Sequence, residues 1–156
     1  MIELEIPGER PLRLKRLLLD YNGTLARDGE VLSGVEDRLR VLGERLELYV
    51  VTADTFGTVK REMEGSGVEV KVLTGDDHTE EKRQLLEELG PNHTVAMGNG
   101  NNDRLMLEYS VLGIAILGDE GCALETMQAA RVCCRNITDA LDLLIHPKRL
   151  VATLRR

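Results

Sequence analysis

A chain of 156 residues with 20 basic and 27 acidic side chains carries a formal charge of −7 and falls in the size range of one folded domain. That balance disfavours nucleic acid and anionic membrane surfaces as partners, and four aromatic residues, Tyr21, Tyr49, Phe56 and Tyr109, are too few to stack single-stranded bases. No apolar run approaches the ~20 residues that span a bilayer, and the first residues, MIELEIPGERPLRLKR, alternate apolar with charged and lack a secretion signal's apolar core; a cytoplasmic protein without membrane or nucleic-acid partners is expected.

In chain order, residues 2–6 and 12–19 read as strands, the first pair folding as a hairpin around Pro7, Gly8 and Pro11. Val35, Leu39, Leu42 and Leu46 recur at helical spacing and predict an amphipathic helix over 34–46. LELYVV is a strand, Asp54 to Glu64 a helix closed by Gly65 and Gly67, with Asp54 as its cap, and 68–73 an alternating strand. The next helix, to Leu89, is expected to be capped by Thr79, with Glu80 and Glu81 at its positive end and Gly90–Pro91 as its stop. Glu80, Glu81, Glu87 and Glu88 read as its solvated face, and His93 and His146 as surface residues. A strand at 93–97, a Gly–Asn turn, a helix from about Asn102 to Tyr109, a strand at 111–117, a helix at 122–130 and a short strand at 131–134 follow. Ile137–Leu144 and Lys148–Leu154 close the chain as helices parted by Pro147. Strands alternating with helices of about ten residues define an α/β class, a Rossmann-like domain over 1–156 with a mainly parallel sheet between helices. Cys122, Cys133 and Cys134, odd in number and set among apolar residues, are expected to be buried and structural, with neither disulfide nor zinc spacing.

Open parallel sheets bind ligands at the carboxyl ends of their strands, where strand order reverses. The first core strand is followed there by Asp20-Tyr21-Asn22-Gly23-Thr24, the second by Thr52-Ala53-Asp54 and the fourth by Gly98-Asn99-Gly100-Asn101-Asn102-Asp103; the helix between them opens with Lys82. A carboxylate to attack, oxygen donors for a divalent cation, and a hydroxyl and an ammonium to hold phosphoryl oxygens are the set that phosphoryl transfer requires. Asp76, Asp77 and His78 read as a loop, not a second metal site.

These four segments, in order and spacing, resemble the signature of the haloacid dehalogenase superfamily: Asp-x-Asp-Gly-Thr, a Thr or Ser, a Lys, and Gly-Asp-Gly-x-x-Asp. The resemblance runs from about residue 14 to 145, and GNGNND before an apolar helix and the GIAI strand is most similar to the soluble relatives of the P-type ATPase phosphorylation domain. It implies Asp20 as the nucleophile that becomes an aspartyl phosphate. The backbone carbonyl of Asn22, Asp20 and Asn99 would be Mg²⁺ ligands, with Asp103 supporting the metal and its waters. Thr52, Ala53 and Lys82 would bind phosphate, Gly23 permitting the close approach and Thr24 fixing the turn.

Two positions depart from the signature. Asn22 stands where the family has the Asp that works as general acid and base, a contribution typically worth ~10²–10⁴ in rate, and a carboxamide cannot supply it. Asn99 replaces an Asp ligand, which removes one negative charge from the cation site. Twenty-nine residues separate Asn22 from Thr52 and another twenty-nine separate Thr52 from Lys82, each filled by expected core elements, so neither gap holds a cap domain. The resemblance therefore implies an open-sited, slow, Mg²⁺-dependent phosphatase acting on a small or macromolecular phosphorylated substrate, with a homo-oligomer able to supply a lid. The alternative is a catalytically impaired, phosphate-responsive binding or regulatory module.

Overall fold

The computed structural model describes residues 1–54 and 57–156. At its centre is a six-stranded sheet whose five pairings are all parallel. In chain order its strands are β3 (Arg16–Asp20), β6 (Glu47–Thr52), β7 (Val68–Val72), β8 (Thr94–Gly98), β9 (Leu112–Ile116) and β10 (Val132–Cys134). In space they run β10-β9-β8-β3-β6-β7, so the chain works outward from β3 to one edge and then returns to β3's other side. This is the doubly wound order, with its switch point between β3 and β8.

Strands covered on both faces read as continuous apolar runs, and Leu17, Leu18 and Leu19 of β3 are all fully buried. Alternate residues serve different layers. Leu17, Leu19, Val50, Val95, Met97 and Ile114 pack with helices α1 (Val35–Gly43), α6 (Ile137–Ile145) and α7 (Pro147–Leu154). Leu18, Val51, Ala96 and Ala115 face the opposite layer, α3 (His78–Leu89) and α4 (Arg104–Tyr109), through Leu86, Met106 and Leu107. A short α5 (Leu124–Ala129) flanks α4, and α2 (Thr58–Glu62) leads into β7. Arg38 of α1 grips Asp142 of α6 with two hydrogen bonds, 2.8 and 2.9 Å, across the first layer.

Several expectations shift in detail. The strand expected over 12–19 is two strands: β2 (Leu12–Leu14) pairs antiparallel with β1 (Ile2–Leu4), while β3 joins the parallel sheet, and the chain changes sheets at Lys15. An additional hairpin, β4 (Ala26–Arg27) and β5 (Glu30–Val31), turns through Asp28 and Gly29, both at positive φ, the Asp-Gly pair of a two-residue hairpin. The helix expected from Asp54 begins at Thr58, with Thr55 and Phe56 outside the described residues; its N-cap is Gly57 instead of Asp54, whose carboxylate nonetheless accepts from the first-turn Val59 N–H at 2.8 Å. The cap of α3 is Asp77, not Thr79: its carboxylate accepts from Glu80 N at 3.1 Å, because the helix starts one residue earlier than Thr79. Pro147 starts α7 instead of separating it from α6 as a breaker, since a first-turn N–H has no intrahelical partner to lose. Of the cysteines only Cys134 is buried; Cys133 is exposed, because successive residues of the edge strand β10 face opposite ways. His146 is exposed, and His93 is partly covered with its Nδ1 2.9 Å from Arg13 O. Only α2 and β7 lie between Thr52 and α3, and only the β4–β5 hairpin and α1 between β3 and β6, so no cap domain is present among the described residues.

Candidate active site

Asp20 is the last residue of β3, at the switch point. Its carboxylate is almost wholly buried: Oδ1 accepts from Lys82 Nζ at 2.8 Å and Oδ2 from the Thr24 hydroxyl at 3.2 Å. The backbone carbonyl of Tyr21 accepts from the N–H groups of Thr24, Leu25 and Ala26, which folds residues 21–26 into a tight turn and lays Thr24 under Asp20. Gly23 sits in that turn at φ 78°, and a Cβ there would come within 2.7 Å of Asn99 Nδ2, so glycine lets the loops after β3 and β8 touch.

Lys82 enters from the second turn of α3 and is 1% exposed. Besides Asp20 it donates to Asp103 Oδ1 at 2.6 Å and Asn102 Oδ1 at 3.2 Å. Asp103 is fully buried, and its Oδ2 accepts from the N–H groups of Asn99 at 3.0 Å and Gly100 at 2.9 Å. It therefore holds the loop after β8 and Lys82 together, one layer behind the opening. A Cβ on Gly98 would lie 2.4 Å from Asp103 Cγ, so only glycine there leaves room for this carboxylate.

Two carboxylates against one ammonium in a buried cluster leave a surplus negative charge. Burial first, and Asp103 next, push the Asp20 carboxyl up to about 7 against the pull of Lys82. Burial works against the Lys82 ammonium, but Asp20 and Asp103 outweigh it and hold its pKa above that of an ordinary lysine.

Thr52 ends β6, next to β3, and its hydroxyl is buried without a hydrogen-bond partner among the described residues. Such a group is rare unless a ligand or a water completes it. Ala53 and Asn22 are exposed at the mouth. They border a recess of about 320 Å³ that Tyr21, Gly29, Asp54 and Thr58 also line. Asn99 is buried; its amide donates to Gly121 O at 3.1 Å, and its Oδ1 lies 3.5 Å from the Thr24 hydroxyl.

The structure thus gathers Asp20, Gly23, Thr24, Lys82, Asn99 and Asp103 into one contact network and sets Thr52, Ala53 and Asn22 beside it. Two contributors carry no signal in the sequence pattern. Glu81, expected on a solvated face, accepts from the N–H groups of Thr74 and Gly75 at 3.0 and 3.1 Å and so ties the turn after β7 to the helix that delivers Lys82. Glu120, in the loop after β9, places Oε2 2.5 Å from the position of a Gly23 Cβ.

The donor set fits a hard divalent cation: Asp20, the Asn22 carbonyl and Asn99 Oδ1 are all oxygen, and the cluster's surplus charge is negative. No three His, Cys, Asp or Glu side chains converge among the described residues, so such a cation would keep several waters, as Mg²⁺ does.

The doubly wound sheet, with a carboxylate at its switch point backed by a buried lysine and no cap domain among the described residues, shares its fold with solved structures of the haloacid dehalogenase superfamily. Among solved structures it is similar to the 3-deoxy-D-manno-octulosonate 8-phosphate phosphatases of Haemophilus influenzae (TM-score 0.71, 11% identity, 92% of this chain and 94% of that one) and Moraxella catarrhalis (TM-score 0.66, 18% identity, 91% and 94%). The former was crystallised with cobalt, the latter with magnesium, phosphate and KDO. In sequence it is 46% identical over 78 residues to an uncharacterized protein of Methanocaldococcus jannaschii, matching 47% of this chain and 84% of that protein. It is 24% identical over 123 residues to a soluble P-type ATPase-like phosphatase of the same organism, spanning 77% of this chain and 45% of that protein. No family model matches the chain. No helix among the described residues is long and apolar enough to cross a membrane.

Proposed function

We propose that this protein hydrolyses phosphomonoesters through an aspartyl phosphate on Asp20, slowly, with Mg²⁺ as cofactor. The observation that carries the reading is the pairing of buried Asp20 and Lys82 beside a Thr52 hydroxyl with no partner among the described residues, at the carboxyl ends of neighbouring strands. The names of the relatives support it: phosphatases of one fold, one of them bound to magnesium and phosphate.

In this mechanism an Asp20 oxygen attacks phosphorus, the ester bond to the leaving alcohol breaks, and the phosphoryl group passes to the carboxylate. Lys82 and the Thr52 hydroxyl hold the phosphoryl oxygens and the Ala53 N–H adds a donor, while the leaving group occupies the recess beside Asn22. Asp20, the Asn22 carbonyl and Asn99 would hold Mg²⁺, which would supply charge neutralisation when bound. Asn22 can donate a hydrogen bond to the departing oxygen but gives no proton and later takes none from water, so both steps lack general acid–base help. That lack also favours the second reading, a module that binds phosphate or carries a phosphoaspartate to signal to a partner.

Hydrolysis of p-nitrophenyl phosphate with Mg²⁺ separates the two. Wild-type turnover should vanish in Asp20→Asn and rise about a hundredfold in Asn22→Asp, within the range that general acid–base catalysis supplies. Absence of turnover in all three proteins would refute the phosphatase and leave the binding module.

A further inference from the structure

We infer that Glu120 is a positioning residue for the divalent cation: its carboxylate accepts hydrogen bonds from the cation's bound waters and supplies the negative charge that Asn99 lacks. The inference rests on the metal site of the proposed phosphatase and adds a residue to it.

The loop that carries Glu120 is stitched to Asn99 on the site side. Asn99 Nδ2 donates to Gly121 O at 3.1 Å, and the Ala123 N–H donates to Asn99 O at 2.9 Å. On the other side, the Gly118 N–H donates to Arg135 O at 2.8 Å. Glu120 is thus held from both flanks. Its Oε2 and the Asn99 carboxamide meet at one point, the face of Gly23, lying 2.5 Å and 2.7–2.9 Å from where a Cβ would stand. Gly23 directly follows Asn22, whose carbonyl would hold the cation in the proposed site, so the Glu120 carboxylate stands beside a residue adjoining one proposed ligand and against another, Asn99.

Charge and hydrogen bonding make Asn99 and Glu120 a matched pair. An aspartate at position 99 would offer no donor to Gly121 O and would set a second anion against the Glu120 carboxylate. Asparagine binds the loop and brings the anion in from position 120. No cation neutralises Glu120 among the described residues, whereas the neighbouring Asp119 is paired with Arg27. An exposed carboxylate, in no ion pair among the described residues and set against Gly23 and Asn99, is placed for water-mediated contact.

The test is Mg²⁺ binding by isothermal titration calorimetry, with no substrate present. Groups that orient a metal's ligands and waters typically contribute about 10–100-fold to metal affinity. Glu120→Gln should therefore weaken Mg²⁺ binding at least tenfold, while Glu125→Gln, the same charge change on α5, leaves it unchanged. Adding Asn99→Asp to Glu120→Gln should bring affinity back to within about threefold of wild type, because the charge returns at the neighbouring position. Wild-type affinity in Glu120→Gln, with binding still lost in Asp20→Asn, would overturn this inference and leave the phosphatase reading standing. No Mg²⁺ binding by the wild type would overturn both.

Discussion

Thr52 carries a buried hydroxyl that has no hydrogen-bond partner among the described residues. A buried, unsatisfied polar group costs about 1–3 kcal/mol, a cost that a phosphoryl oxygen would offset in the proposed site. Thr52→Val keeps the branched shape and removes the hydroxyl. Its melting temperature should equal or exceed that of the wild type, while KM for p-nitrophenyl phosphate rises about tenfold through loss of one charge-assisted hydrogen bond. A fall of several degrees in a thermal melt would mean that the fold itself uses the hydroxyl. Lys82 is the opposite case, since it donates to both Asp20 and Asp103 and its removal would leave two buried carboxylates without a counter-charge. The sequence exposes both kinds of residue equally well, because each follows a strand end or opens a helix at a readable spacing. It does not distinguish them, because the difference lies in which partners the tertiary structure provides. Glu81 and Glu120 show the limit: each looks like one more acidic surface residue until α3 or the loop after β9 is folded against its neighbour.

At the scale of elements, the layer that delivers Lys82 sits close to the sheet. Ala96 and Ala115 are the small residues of that face, and α4 approaches so near that a Cβ on Gly113 would lie 2.4 Å from the backbone oxygen of Leu107. A backbone carbonyl cannot rotate away as a side-chain end can. Gly113→Ala must push α4 outward, and α4 follows directly from Asp103, so the shift reaches the loop after β8. Overpacking of this kind costs about 1–3 kcal/mol, which for a chain of this length lowers the melting temperature by roughly 2–4 °C per kcal/mol. Circular dichroism should show that loss, with reduced turnover in parallel; a variant as stable as wild type would mean that α4 is free to slide. The strands are legible as apolar runs and α1 as a helical period, because burial writes those patterns directly, and α3 is legible through its start and stop residues. Boundaries were less legible. Asp77 and Thr79 both have capping side chains, and the backbone geometry at Asp77 decides between them. The split at Lys15 depends on β3 leaving the hairpin to pair with β6 and β8, strands far along the chain whose partnership local pattern does not encode.

For the molecule as a whole, the doubly wound topology concentrates charge at one end of the sheet, and this makes stability depend on pH in a direction unlike that of ordinary carboxylates. Asp142, held below the usual carboxylate range by its hydrogen bonds to Arg38, stabilises the fold above its unfolded pKa and loses that contribution only as pH falls through its lower folded value. Asp20 works the other way. Its carboxyl is raised to about 7 by burial and by Asp103, so the folded state binds that proton more tightly than the unfolded chain, where the pKa is near 3.9. In metal-free buffer the Asp20 contribution is unfavourable above pH 7 and is relieved as pH falls toward about 4, where both states are protonated. The relief is on the order of a few kcal/mol. Asp20→Asn removes the titrating group, so with EDTA it should melt several degrees above wild type at pH 7.5 and converge with it near pH 4. Mg²⁺ reverses the comparison at pH 7.5, because a cation that binds the folded state raises its stability by mass action: the wild type should gain and Asp20→Asn should not. Parallel melting curves for the two proteins from pH 4 to 7.5, with or without Mg²⁺, would show that the Asp20–Lys82–Asp103 cluster carries no surplus charge and offers no seat for the cation.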